Sequence, residues 1–271
     1  MSLISVIVAT YNWPQALRLS LESLKTQTDR DFEVIIADDG SRADTRELIT
    51  KIQADFPVPM EHIWIEDDGC RKTVVGNVAI AASKGDYIVF IDGDCIVQPD
   101  FIAQHRKLAE PGHLVTGSRI LSNNALAQEM LSWPQWSFER FKRHAFSYRL
   151  RGGLNKILPL LVKFGDHSRR LYPTFVWRRI KGCNMACWRS DALAIGGFDE
   201  TLLGWGHEDA DFVFRLQANG VIRKSGAWAT EVIHIFHKVR DQSNDKSSRE
   251  RLNEKIRAHA ALSATRQTQE R

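Results

Sequence analysis

The sequence predicts an α/β fold, a mixed central sheet flanked by helices, on three observations. Residues 4–9, 32–37 and 87–91 are apolar runs without polar alternation, as strands covered on both faces must be. The segments between them repeat apolar residues at helical spacing. Each run also ends in a polar cluster: Thr10-Tyr11-Asn12, Asp38-Asp39 and Asp92-Gly93-Asp94. A chain of 271 residues with 43% hydrophobic content can bury a core of the size this needs, in one large domain or two closely joined ones.

Residues 4–9 form the first strand. Trp13-Pro14 opens a helix, since proline is tolerated at the first helical position, and Ala16, Leu17, Leu21 and Leu24 form its inward stripe. Residues 32–37 are the next strand, followed by Asp38-Asp39-Gly40-Ser41 and a helix running through Leu48 and Ile52. A third strand is expected over 60–65, then a Gly69-Cys70-Arg71-Lys72 turn and a helix of small residues over 74–82. The run at 87–91 is the central strand. Such βαβ units imply right-handed crossovers and a ligand crevice at the carboxyl ends of the strands.

Two carboxylates one residue apart at such an edge, Asp92 and Asp94, can share a hard cation that also holds phosphate oxygens. The competing reading is a tight Asp-Gly turn at Asp92-Gly93. Asp38 or Asp39 can accept hydrogen bonds from a base or ribose, and Arg71 and Lys72 can meet a diphosphate. Helix capping is the alternative role for Asp38 to Ser41. Neither GxGxxG nor a Walker sequence occurs, which disfavours a dinucleotide site and a P-loop. Cysteines 70, 95, 183 and 187 lack CxxC spacing and are expected reduced; Cys183 and Cys187 could share a helix face.

The motifs Ser-Val-Ile-Val-Ala-Thr-Tyr-Asn, Val-Ile-Ile-Ala-Asp-Asp-Gly-Ser and Gly-Asp-Tyr-Ile-Val-Phe-Ile-Asp-Gly-Asp, in that order, resemble the GT-A-fold glycosyltransferases of family 2. The resemblance covers residues 1–120. It implies an inverting transferase that uses a nucleoside-diphosphate sugar, UDP-linked by expectation, with Mn²⁺ or Mg²⁺. It places Thr10, Tyr11, Asn12, Asp39 and Arg71 around the nucleotide, Asp94 on the metal, and Asp92 at the donor ribose or sugar. Asp38, Lys72 and Gly93 complete the expected donor site, with Asp92 a second candidate metal ligand.

The second half, with Gly182-Cys183-Asn184-Met185-Ala186-Cys187-Trp188-Arg189 and Gly204-Trp205-Gly206-His207-Glu208-Asp209, is similar to the acceptor-side segment of β-1,4-galactosyltransferase and chondroitin-synthase-like enzymes. Those carry glycine where this chain has His207. The match makes Asp209 the general base, Glu208 its acceptor-orienting neighbour, and Trp205, Gly206 and His207 acceptor contacts. Without it, Glu208 and Asp209 are first-turn acids favoured by a helix dipole. The resemblance also puts a metal-binding histidine near Val232-Ile233-His234-Ile235-Phe236-His237, with His234 preferred.

The expected organisation is one GT-A (Rossmann-like) domain: a nucleotide-sugar half over 1–120, an acceptor half over 121–240 with a helical basic insertion at 122–180, and a polar tail over 241–271. The net charge is +4, yet the stretch from Glu139 to Lys181 alone carries +10 and is interleaved with aromatic residues. That suits an anionic membrane surface, an anionic glycan or a nucleic acid, and the partners expected are the first two, not a nucleic acid. With no signal peptide or apolar span in the sequence, the expected location is cytoplasmic, peripheral at the inner face of the membrane, where a glycan or lipid-linked glycan would be the acceptor. A catalytically silent sugar-nucleotide-binding protein and a nucleotidyltransferase are the alternative functions.

Overall fold

A computed structural model describes residues 3–177, 179–202, 206–238 and 245–269. The chain begins β1 (Ile4–Thr10), α1 (Pro14–Lys25), β2 (Phe32–Asp38), α2 (Ala43–Gln53), β3 (Met60–Trp64), α3 (Lys72–Ala82) and β4 (Tyr87–Asp92). It continues β5 (Cys95–Val97), α4 (Phe101–Leu108), β6 (His113–Thr116), β7 (Arg119–Leu121), α5 (Asn124–Leu131), α6 (Phe138–Leu150), α7 (Leu158–Leu161) and β8 (Leu171–Tyr172). Last come β9 (Asn184–Trp188), α8 (Arg189–Ala194), α9 (Glu208–Ala218), β10 (Ile222–Ser225), β11 (Val232–His234) and α10 (Asp245–Gln269).

Eight strands form one sheet in the order β3-β2-β1-β4-β9-β6-β10-β8. Its first four strands are parallel, in register Val6 to Val34 and Val89, so their carboxyl ends share one edge. Strand β9 then runs antiparallel between β4 and β6. The apolar runs of β1, β2 and β4 are buried on both faces. One face carries Leu17, Leu21 and Leu24 of α1 and Ile49 of α2; the other carries Val75, Ala79 and Ile80 of α3 and Phe212, Val213 and Leu216 of α9.

A second sheet, β5-β11-β7, is joined by a third cluster to Ala16 and Leu19 of α1, to α5 and to α6. The basic segment is helical only as far as Leu161. Beyond it the described residues up to 180 are irregular apart from one 3₁₀ turn and the edge strand β8, where Arg170 donates to the carbonyls of Ser225 and Ala227. Cys183 and Cys187 share no helix: Cys187 lies in β9, while Cys183 precedes it and packs beside Cys95 and His234. The expected tail is largely helix α10, seated on α9 by the buried Leu252 and by Lys255, which pairs with Asp199 and Asp211.

Candidate active site

The carboxyl ends of β1, β2 and β4 open onto a cleft of about 400 Å³, where an open α/β sheet is expected to bind its ligand. Thr10, Tyr11, Asn12, Asp39, Lys72, Asp92, Gly93, Asp94 and Glu208 line it, joined by Trp13, His237 and Lys238. The rim at Thr10-Tyr11-Asn12 is braced from two loops. The Asn12 N–H donates to Ser41 Oγ at 2.8 Å, Asn12 Oδ1 accepts the Arg42 N–H at 2.9 Å, and the Tyr11 hydroxyl donates to Asp67 at 3.0 Å. The Gly93 N–H donates to the Ala9 carbonyl at 2.7 Å, tying the loop after β4 to β1. A Cβ on Gly93 would stand 3.2 Å from that carbonyl oxygen and from Thr10 Oγ1, so glycine permits the close approach.

Asp38 and Asp39 diverge at the end of β2. Asp38 is fully buried, accepting the Ser41 N–H at 2.8 Å and lying 2.9 Å from His62 Nε2, and it forms no part of the cleft wall. Asp39 lines the cleft and accepts the Arg71 N–H at 2.9 Å. The Arg71 guanidinium donates to the Glu66 carbonyl and sits 3.6 Å from Asp68, outside the cleft lining. The neighbouring Lys72 enters the cleft and donates to Asp92 at 2.7 Å. Burial alone would lower the Lys72 ammonium, but Asp92 and Glu208 raise it above its ordinary value, so it stays charged.

Asp92 and Asp94 therefore have different partners, although both emerge beside Gly93. Asp94 meets two histidines at the end of β11, with His237 Nε2 at 3.2 Å and His234 Nε2 at 3.6 Å. One ligand atom from each of the three can lie within 4.8 Å of the others. Burial would raise the Asp94 carboxyl, but a hydrogen bond from His237 and the charges of both imidazoles hold it below the usual range. Burial also holds His234 below the ordinary imidazole value. An ionised carboxylate with imidazole nitrogens is a donor set that suits Mn²⁺ or a similar divalent ion. His237 is the imidazole that also lines the cleft, and its ring meets Trp13 edge-on at 5.9 Å. In the sequence it was marked by the resemblance, which puts a metal-binding histidine in this segment, and it follows His234 by three residues.

On the opposite wall His207 immediately precedes α9, and its backbone is left-handed at φ 67°, a conformation that explains why glycine suits this position. The His207 ring packs edge-on against Trp177 at 5.0 Å. The Gly206 N–H donates to Glu208 at 3.1 Å. Trp205 lies outside the described residues. Asp209 accepts the Gly182 N–H at 2.8 Å and the Ala210 N–H at 2.7 Å, so both oxygens are held in place. Glu208 projects into the cleft, where burial raises its carboxyl above the ordinary value and Lys72 pulls it back in part. Beneath both acids is a void of about 30 Å³ lined by Phe90, Met185, Phe198 and the two carboxylates, together with Lys72 and Asp92. Glu208 reaches both spaces; Asp209 lines only the inner one.

A mixed sheet whose parallel half carries acids and a lysine at its carboxyl edge, with two histidines of the second sheet beside them, defines an α/β protein with a charged cleft where such folds bind ligands. Residues 5–163 match glycosyl transferase family 2, and residues 164–238 match the family described as the N-terminal domain of galactosyltransferase. The chain belongs to glycosyl transferase family 2, and its fold is GT-A. It is 29% identical over 245 residues to the uncharacterized glycosyltransferase YfnE of Bacillus subtilis, a match over 80% of this chain and 61% of that protein. It is 24% identical to a chondroitin synthase of Escherichia coli, over 82% of this chain and 33% of that one. The chain thus spans less than two thirds of YfnE and about a third of the chondroitin synthase. In fold it is similar to S. aureus TarS, with a TM-score of 0.61 at 15% identity over 87% of this chain and 37% of that one. It is also similar to the mannosyltransferase PcManGT of Pyrobaculum calidifontis, solved with GDP-Man and Mn²⁺, with a TM-score of 0.58 at 18% identity over 87% and 57% of the two chains.

Proposed function

We propose that this chain is an inverting, metal-assisted glycosyltransferase that moves a hexose from a UDP-linked donor to a hydroxyl of a cell-envelope glycan. The observation that carries the reading is the meeting of Asp94, His234 and His237 on one side of a cleft whose other wall holds Glu208, with Asp209 against the void beneath. Family membership supports it, as do the UDP-GlcNAc and GDP-Man bound by structures of the same fold. Asp94, His234 and His237 would hold the divalent ion, which supplies positive charge against the leaving diphosphate. Asp39, Tyr11 and Asn12 receive the nucleoside at the far end of the cleft. Lys72, which donates to Asp92, orients that carboxylate beside the donor sugar.

In the transfer itself the acceptor oxygen forms a bond to the anomeric carbon while the bond from that carbon to the diphosphate oxygen breaks. The hydroxyl proton passes to a carboxylate. We assign that role to Asp209, since two backbone N–H groups fix its orientation while each oxygen keeps a lone pair for the proton. Glu208 orients the acceptor from the cleft side. Two substitutions test the assignment by calorimetry with UDP and Mn²⁺ and by transfer or slow donor hydrolysis over a panel of UDP-, GDP- and TDP-sugars. Asp94→Ala is expected to abolish Mn²⁺-dependent UDP binding with the fold intact. Asp209→Asn is expected to leave UDP affinity unchanged and to lower transfer by about 10²-fold or more. If UDP binds Asp94→Ala normally, the proposed metal site is wrong; a large loss in Glu208→Gln but not in Asp209→Asn moves the base to Glu208.

A further inference from the structure

Helix α6 buries Phe141, Ala145 and Tyr148 and leaves its other face outward. On that face Lys142, Arg143, Phe146, Arg149 and Leu150 recur at three- and four-residue spacing and so form one stripe. Phe146 is 66% exposed and Leu150 72%. Two more apolar side chains follow on α7, Leu158 at 58% and Leu161 at 57%, while Leu160 between them anchors in the same cluster as Phe141. Among the described residues these are the four most exposed large apolar side chains, and they all fall within sixteen consecutive positions. That clustering is not what scattered surface leucines produce.

The basic residues of this region divide into two groups. Arg140 stacks on Trp133 at 4.3 Å, Lys156 pairs with Glu231 at 3.4 Å, Lys163 pairs with Asp100, and Arg170 is buried among carbonyls. These are structural. Lys142, Arg143 and Arg149 are exposed and enter no ion pair among the described residues, and they share the α6 stripe with Phe146 and Leu150.

We propose that the outer face of α6, continued by α7, docks on an anionic lipid bilayer. An anionic polymer would answer the cations but leave Phe146 and Leu150 in water. A lipid interface takes both, with apolar side chains at the acyl boundary and basic ones among the headgroups. The segment before the docked face and the cleft both adjoin α1. The Arg18 guanidinium donates to the carbonyls of Leu131 and Trp133, and Glu22 accepts the Trp136 N–H at 2.6 Å, so the segment leading into α6 rests on α1. Trp13, just before α1, lines the cleft beside His237. The proposal stands independently of the transfer reading, because docking requires neither donor nor metal.

Co-sedimentation of the full chain with vesicles tests it, using phosphatidylcholine alone or with phosphatidylglycerol. The expected result is binding to the anionic vesicles that weakens with salt, and little binding to the neutral ones. At about fivefold per basic residue, Lys142→Glu with Arg143→Glu is expected to lower binding by about 30-fold or more. Phe146→Ser with Leu150→Ser is expected to lower it too while keeping its salt dependence. All these positions are exposed, and circular dichroism checks that the variants fold. Three results would overturn the proposal: no binding to anionic vesicles at low salt, binding that neither pair of substitutions changes, or a dimer by light scattering that Phe146→Ser with Leu150→Ser dissolves, which would make the face a contact between copies.

Discussion

Asp38 and Asp39 are neighbours of identical chemistry, yet one is turned into the protein and the other into the cleft. Asp38 is the last residue of β2 and is held by the Ser41 N–H and His62, whereas Asp39 opens the loop and is held by the Arg71 N–H. His105 shows the same dependence on position. It is wholly buried on α4 against the Phe101 ring at 4.6 Å, and burial drives its imidazole down to about 3 from the ordinary 6.5. The unfolded chain therefore binds a proton between these values that the folded chain does not. The stability tied to neutral His105 is fully present above about pH 6.5 and is lost as the pH falls towards 3, with about 2 kcal/mol gone by pH 5. Urea unfolding at pH 7 and pH 5 measures it. His105→Leu is expected to reduce the drop by about that amount, and an unchanged drop would show that His105 does not titrate as a buried group.

At the scale of the element, the loop after β2 carries a constraint that neither strand nor helix imposes. Gly40 sits at φ 88°, and a Cβ there would lie 2.5 Å from the Asp67 Cα, so the loops after β2 and β3 touch through a gap that only glycine leaves open. Gly40→Ala combines left-handed strain with a backbone clash, and is expected to cost about 2–4 kcal/mol. It should also displace Asp39 and so weaken UDP binding more than its loss of stability alone accounts for. Thermal unfolding with UDP calorimetry on the folded fraction checks this; a variant as stable as the parent would mean that these loops separate freely. The Asp-Gly pairs were visible in the sequence, but which of them was a turn and which a contact between loops depended on Asp67, a residue 27 positions away.

Across the whole molecule, the two family segments are not two folding units. Strand β9, from the later segment, fills the place between β4 and β6, and β11 fills the place between β5 and β7. Residues 1–163 alone would leave β4 and β6 with bare edges and strip α9 from the sheet's second face. That fragment is expected to aggregate or to lack a cooperative thermal transition, whereas the full chain unfolds cooperatively. A soluble fragment with a sharp transition would show that the later segment is an addition to a self-sufficient domain.

What the sequence determined by itself was the first half of the sheet and the edge where chemistry collects. Continuous apolar runs bounded by polar clusters need no distant partner to be recognised, because burial on both faces is written into each strand separately. Tertiary structure alone decided which acids are available and what they face. Asp92 reaches Lys72, and His237 joins His234 at Asp94 because β11 pairs with β5 and delivers both rings there. Strand β9 was equally hidden, since residues four apart fall on one face of a helix and on one face of a strand alike. Only pairing with β4 and β6 distinguishes the two, and that pairing joins positions about 70 to 100 residues apart in the chain.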